Sequence, residues 1–156
     1  MDEIKRFLTM SDGKFDTPSE MIVLDGKTYK RDNLDSPYSG TYNWVAEDGS
    51  DIESFYEKGK CTSRTVSKNG VIKSNTYFKN DEIEEIRIFD ENGRVRMRSY
   101  IANGKLHGVT EMLTDGNLIL STEFKDGKKH GWTVTYSVDG YITSREYFID
   151  DVKQTE

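Results

Sequence analysis

The chain has 156 residues, 34% hydrophobic and 32% charged, where globular domains run at roughly 45–50% apolar and about 25% charged. One domain of this length with so little apolar material excludes a thick two-sided core and favours an extended structure that buries one thin layer. The charge of −6 lies wholly in residues 1–58, with 13 acids against 7 bases, while residues 59–156 balance 15 against 15; this excludes nucleic acid as the default partner and suits a cationic protein better.

The opening "MDEIKRFLTM" carries two acids and no long apolar stretch, so it does not read as a secretory signal. No segment approaches the roughly 20 apolar residues of a membrane helix, and the single cysteine, Cys61, rules out an internal disulfide framework. A cytoplasmic protein with no membrane association is expected. Ile4, Phe7 and Leu8 follow helical spacing, and Ser11-Asp12-Gly13 would stop a short helix. "MIVLDGKTYKR" (21–31) then reads as a hairpin turning on Asp25-Gly26. Residues 1–31 are expected to form a small N-terminal cap over the first strand or across a sheet face.

An internal repeat begins beyond it. Glycines that follow Asn or Asp fall at 49, 70, 93, 116 and 140, spaced by 21, 23, 23 and 24 residues. Between them lies a second series of turn signals: Lys58-Gly59, Asn80-Asp81, Asn103-Gly104, Asp126-Gly127 and Asp150-Asp151. Such dipeptides supply the positive φ that tight hairpins require. The spacing predicts strands of about eight residues and about five copies of a hairpin unit over residues 32–151, followed by a tail at 152–156. The fold class is all-β: a repetitive antiparallel meander of hairpins in a solenoid-type twisted sheet.

Offsets from the first glycine of each unit assign the two faces, because side chains alternate along a strand. Offset two holds Ile72, Val95, Leu118 and Ile142, and offset eight holds Phe78, Ile101, Phe124 and Phe148. Offsets four and six between them are small or mixed, as in Ser74, Thr76, Ser99 and Thr122. That face is apolar at both ends. Offset seven, on the other face, holds Tyr77, Tyr100, Glu123 and Tyr147, and "RVRMR" places Arg94, Arg96 and Arg98 beside it. The tyrosine row is either a contact platform or a second packed layer under the N-terminal segment.

The charged stretches have two readings each. Three guanidiniums in "RVRMR" are enough to hold phosphate or an acidic protein surface; alternatively they pair across the sheet with Glu84, Glu85 or Glu111. "NDEIEEIRIFDEN" (80–92) reads as an acidic strand pair that guards a sheet edge. Cys61 sits in an ordinary strand without the cationic surroundings of a reactive thiol. His107 and His130 repeat with the fold period in "KLHG" and "KKHG". Two histidines and one cysteine are too few for a zinc site, and no nucleophile motif accompanies them. They are expected to be architectural, with Gly108 and Gly131 letting an aromatic approach the backbone. No catalytic, metal or cofactor residues are expected, and the protein is read as not an enzyme.

The succession "GKLHGVTEML", "DGNLILSTEFKDGK", "KHGWTVTYSVDG" and "YITSREYF" resembles the MORN-repeat variant of bacterial proteins described as YwqK-like antitoxins. "DGKTYKRDNLDSPYSGTY" (25–42) is similar to the segment that opens such arrays, and the resemblance covers about residues 25–150. Units at 59–93 depart from it, with "KCTSRT" and "EIEEIR" in place of the His-Gly element. The resemblance implies a bacterial or phage antitoxin, immunity protein or inhibitor. It would neutralise a basic toxin or effector through one sheet face, with Tyr77, Arg94, Arg96, Arg98, Tyr100 and Tyr147 as contact residues. The alternative it leaves is a MORN-type scaffold that self-associates into homo-oligomers or lies on membranes. The negative charge argues against the membrane form of that alternative.

Overall fold

The computed structural model describes residues 18–155; the helix expected near residues 4–10 lies outside them. Asp25 and Gly26 take φ of 49° and 70°, the mirror-image turn whose twist matches paired strands. They join β1 (Met21–Leu24) to β2 (Lys27–Lys30) in a separate two-stranded sheet.

From Gly40 onward eleven strands follow one another in a single antiparallel meander. They are β3 (Gly40–Val45), β4 (Asp51–Glu57), β5 (Lys60–Lys68), β6 (Val71–Lys79), β7 (Glu82–Phe89) and β8 (Val95–Ala102). Then come β9 (Lys105–Thr114), β10 (Asn117–Lys125), β11 (Lys128–Tyr136), β12 (Ile142–Ile149) and β13 (Val152–Lys153). The all-β repetitive reading holds. Residues 152–153, read as tail, pair with β12 instead. The acidic stretch at 80–92 is one strand, β7, in the interior of the sheet, so its charge guards no edge.

The two series of turns lie at opposite edges. The second series is uniform: both residues of all five dipeptides from Lys58-Gly59 to Asp150-Asp151 have φ between 49° and 86°. The first series splits in two. Asn69-Gly70 and Asp115-Gly116 make the same tight turn, whereas around Gly49, Gly93 and Gly140 only the glycine takes positive φ. In the second of these, Gly93 N–H donates to Asp90 O at 3.1 Å and Asp90 N–H to Arg94 O at 2.8 Å, a type I turn closed by a left-handed residue. Asp90 Oδ1 also accepts from the Arg94 and Asn92 amides at 2.9 Å, and these bonds hold its carboxyl below the usual range. Each pairing from β4–β5 to β11–β12 carries one register irregularity.

One face of the sheet is buried. Its middle row runs through direct cross-strand partners Ser54, Arg64, Thr76, Ile86, Ser99, Thr110 and Thr122. Ser54 and Ser99 are 0% exposed and Thr76 1%. Hydroxyls survive such burial because they bond one another, as Ser99 does to Thr110 at 3.0 Å. Ile86 in this row joins Met97, Ile101, Leu106 and Phe124 in the apolar cluster, with Ile83, Ile88 and Met112 against it. The expectation of an apolar face closed at both ends is met at one end only. Ile101 and Phe124 are buried, but Ile72 and Ile142 at the opposite rim are exposed.

Candidate functional site

The other face is open, and alternation along the strands places its residues. In β6, β7 and β8 the cross-strand partners Tyr77, Glu85 and Tyr100 lie in one row, and Arg87 faces Arg98 in the next. Two guanidiniums directly opposite would repel. Each is neutralised locally. Arg87 Nε donates to Glu85 Oε1 at 2.5 Å, and its guanidinium lies 4.9 Å from the Tyr77 ring centre. Arg98 Nε donates to Glu111 Oε2 at 2.8 Å, which is the cross-sheet pairing read as one alternative from sequence. Hydrogen bonds that the two guanidiniums donate to Glu85 and Glu111 hold both above the usual arginine range. Exposed pairs of this kind add under about 1 kcal/mol each, so they orient the arginines more than they stabilise the sheet.

A second cluster occupies β11 and β12. The Trp132 and Tyr147 rings meet edge-on at 5.0 Å, and the Arg145 guanidinium lies 5.2 Å from the Trp132 centre. Tyr100, Trp132 and Tyr147 are each about two-fifths exposed, as is Phe55 in β4. The sheet therefore brings Tyr77, Arg98 and Tyr100 together and sets Tyr147 in the other cluster. Arg96 is half-buried in β8. Arg94 does not share their face: it sits at the turn edge, bound to Asp90 at 3.1 Å and Asp115 at 2.6 Å. Arg87, Trp132 and Arg145 are the residues that sequence reasoning missed. Arg87 was hidden in an acidic stretch, although its register opposite Arg98 followed from the turn spacing.

Gly108 and Gly131 are both left-handed, with φ of 91° and 118°. At Gly108 the neighbour is Tyr100, whose Cβ would lie 3.5 Å from an added Cβ, the aromatic approach expected. At Gly131 the neighbour is Glu123. Its carboxylate accepts from the Trp132 amide at 2.8 Å, and its own Cβ would lie 2.9 Å from a Cβ placed on Gly131. A carboxylate replaces the aromatic there because Glu123 stands in the tyrosine column. His107 Nδ1 lies 3.6 Å from Asp126 and His130 Nδ1 3.3 Å from Asp150. Each histidine faces the turn aspartate of the following hairpin. Among the described residues no group of three His, Cys, Asp or Glu is placed to hold a metal ion, and no helix is long and apolar enough to cross a membrane.

A third constellation lies on the buried face near the N-terminal end. Arg64, 6% exposed, donates through Nε to Ser54 Oγ at 2.8 Å and lies 5.1 Å from the Trp44 ring centre. Burial pushes its guanidinium below the usual arginine range and pushes the Tyr56 hydroxyl and Cys61 thiol up. The Arg64 charge opposes the shift at Cys61 but does not overcome it, so the thiol is a poor nucleophile. Tyr38 packs edge-on against Tyr42 and Tyr56 at 6.5 and 5.7 Å. Nothing in the hairpin spacing announced this group, since a lone arginine at a small-residue position carries no periodic signal.

No protein-family model and no curated protein matches the chain. Among solved structures it is similar to two crystal structures of TarM. One is a mutant from S. aureus in complex with Fondaparinux, alpha-GlcNAc-glycerol and UDP, at 16% identity over 74% of this chain and 23% of that one. The other, TarM itself, is 15% identical over 79% and 27%. Both have a TM-score of 0.45, and the chain spans about a quarter of their length.

Proposed function

We propose that this chain is a non-enzymatic binding module that neutralises a protein partner, a toxin or effector, through the open face of its sheet. The observation that carries the reading is the pair of exposed aromatic–arginine clusters, Tyr77–Arg87–Arg98–Tyr100 and Trp132–Arg145–Tyr147. Tyr, Trp and Arg dominate the energetics of protein interfaces. Rings already braced by a guanidinium lose little side-chain freedom on docking, which keeps the cost of association low. The excess negative charge in residues 1–58 favours a basic partner by speeding encounter. The resemblance to YwqK-like antitoxins points the same way.

The test is affinity capture from the native host with the wild-type chain and with a Tyr100→Ala/Trp132→Ala variant. Wild type should retain one dominant basic protein at stoichiometric yield, and the variant should lose at least tenfold of it, about 1.4 kcal/mol. Equal recovery by both chains would remove the open face from the account.

A further inference from the structure

The buried face is not filled evenly. Along β8 to β11 it holds a cavity of about 160 Å³. Met97, Met112 and Leu120, partners in one cross-strand row, line one side. Thr110, Thr122 and Thr133 line the middle, and Phe124 with its partner Lys129 the other side. The ladder explains why space is left there. Opposite the single Glu123 of β10, β11 places His130, Gly131 and Trp132, and such extra residues bend a strand and interrupt its packing.

The repeat shows what sets this unit apart. The second residue after successive turns of the second series is Cys61, Ile83, Leu106 and then Lys129. Their cross-strand partners are Tyr56, Phe78, Ile101 and Phe124. Leu106, 3% exposed, belongs to the apolar cluster. Lys129 takes the same place with a charge. Its ammonium lies 4.9 Å from the Phe148 ring centre and pairs with no carboxylate among the described residues. Two acids of the adjoining hairpin are engaged elsewhere. Glu146, opposite Thr133, binds Lys153 at 2.6 Å, and Asp151 accepts from the Lys129 amide at 2.8 Å. A half-buried ammonium without an anion costs desolvation that packing alone does not recover. A leucine, as at position 106, would serve the sheet better.

We propose that this cavity is a binding site for a small monocarboxylate, with its apolar tail on Met97, Met112 and Leu120 and its carboxylate at the Lys129 ammonium. The volume sets the size. A cavity of about 150 Å³ lined by Leu, Ile and Phe stays dry and takes up benzene, so a tail of about five carbons fits. The two thioethers adapt to the shape of the tail. Thr133 bonds Thr122 at 3.4 Å and Ser99 bonds Thr110 at 3.0 Å, so the hydroxyls between the two ends already have partners and require no polar group in the middle of the ligand. A charge-assisted hydrogen bond to Lys129 fixes the orientation. The site lies on the face opposite the aromatic–arginine clusters, so it stands or falls apart from the partner proposed for them.

The test is an NMR titration of the full chain, carrying isotope-labelled methionine methyls, with hexanoate and with hexanol, which has the same tail and no charge. Hexanoate should shift the Met97 and Met112 signals saturably, with half-saturation at or below about 1 mM, and leave Met21 unmoved. Lys129→Gln should weaken hexanoate by about tenfold or more and hexanol by less than about twofold. Lys129→Leu should also lose hexanoate, with a urea midpoint at or above that of wild type, because leucine restores the packing of the preceding unit. No saturable shift at ten times that concentration, equal movement of Met21, or equal weakening of both ligands by Lys129→Gln would each overturn the proposal. A lowered urea midpoint in Lys129→Leu would overturn it as well, since it would make the lysine a structural residue.

Discussion

The two faces of this sheet are written by the same strands and do opposite things. On the buried face most middle positions are Ser and Thr, with Ser99 bonded hydroxyl to hydroxyl with Thr110, and Ile, Met, Leu and Phe form the apolar cluster of the same face. On the open face the same strands present Tyr, Trp and Arg in contact with one another but a third or more exposed. A period-two alternation makes this division, and one residue of slip would exchange the faces. The lesson is that residue size alone does not mark the core here. Trp132, Tyr100 and Tyr147 are about two-fifths exposed, while Ser54, Thr76 and Ser99 are buried as tightly as Ile86.

That contrast should break most easily on the buried side. Ile86→Ala removes a side chain that is 1% exposed at the centre of the apolar cluster. It should cost about 2–4 kcal/mol, read as a lowered midpoint in urea unfolding. A loss below about 1 kcal/mol would mean that the cluster is not the core.

A smaller effect sharpens the difference between units. At Gly131 an added Cβ meets both a left-handed backbone and the Glu123 side chain. Gly131→Ala should therefore cost about 2–3 kcal/mol. At Gly108 only the backbone objects, since the nearest Tyr100 atom is at ordinary contact distance, and Gly108→Ala should cost about 1 kcal/mol. Equal losses at the two sites would contradict the role given to Glu123.

Much of this division was legible beforehand. The turn series gave the order and antiparallel sense of β3 to β12, because most of its dipeptides supply the φ that a two-residue hairpin requires and the glycines at 49, 93 and 140 close slightly longer turns; β13 lay in what read as tail. The Ile101–Phe124 column was readable as core for the same reason. The opposite rim was not. Register shifts such as those between Ile88 and Phe89 and between Leu118 and Leu120 displace the alternation there, and a count of offsets cannot carry across a bulge. Arg94 was misplaced because the connection at 90–94 is a three-residue turn, so the arginine ends at the edge with Asp90 and Asp115. Trp132 stayed unseen because it follows the left-handed Gly131 and its amide is held by Glu123, nine residues before it. The tyrosine row was visible, but its exposure was not.

The most direct test of the division between a stabilising face and a binding face is the equilibrium unfolding of a Tyr100→Thr/Trp132→Thr/Tyr147→Thr chain. Threonine keeps the strand preference, and the exposed rings contribute little to folding. The account predicts that stability in urea stays within about 1 kcal/mol of wild type. A loss comparable to that of Ile86→Ala would show that the open face is a second packed layer, and the separation of the two faces would be wrong.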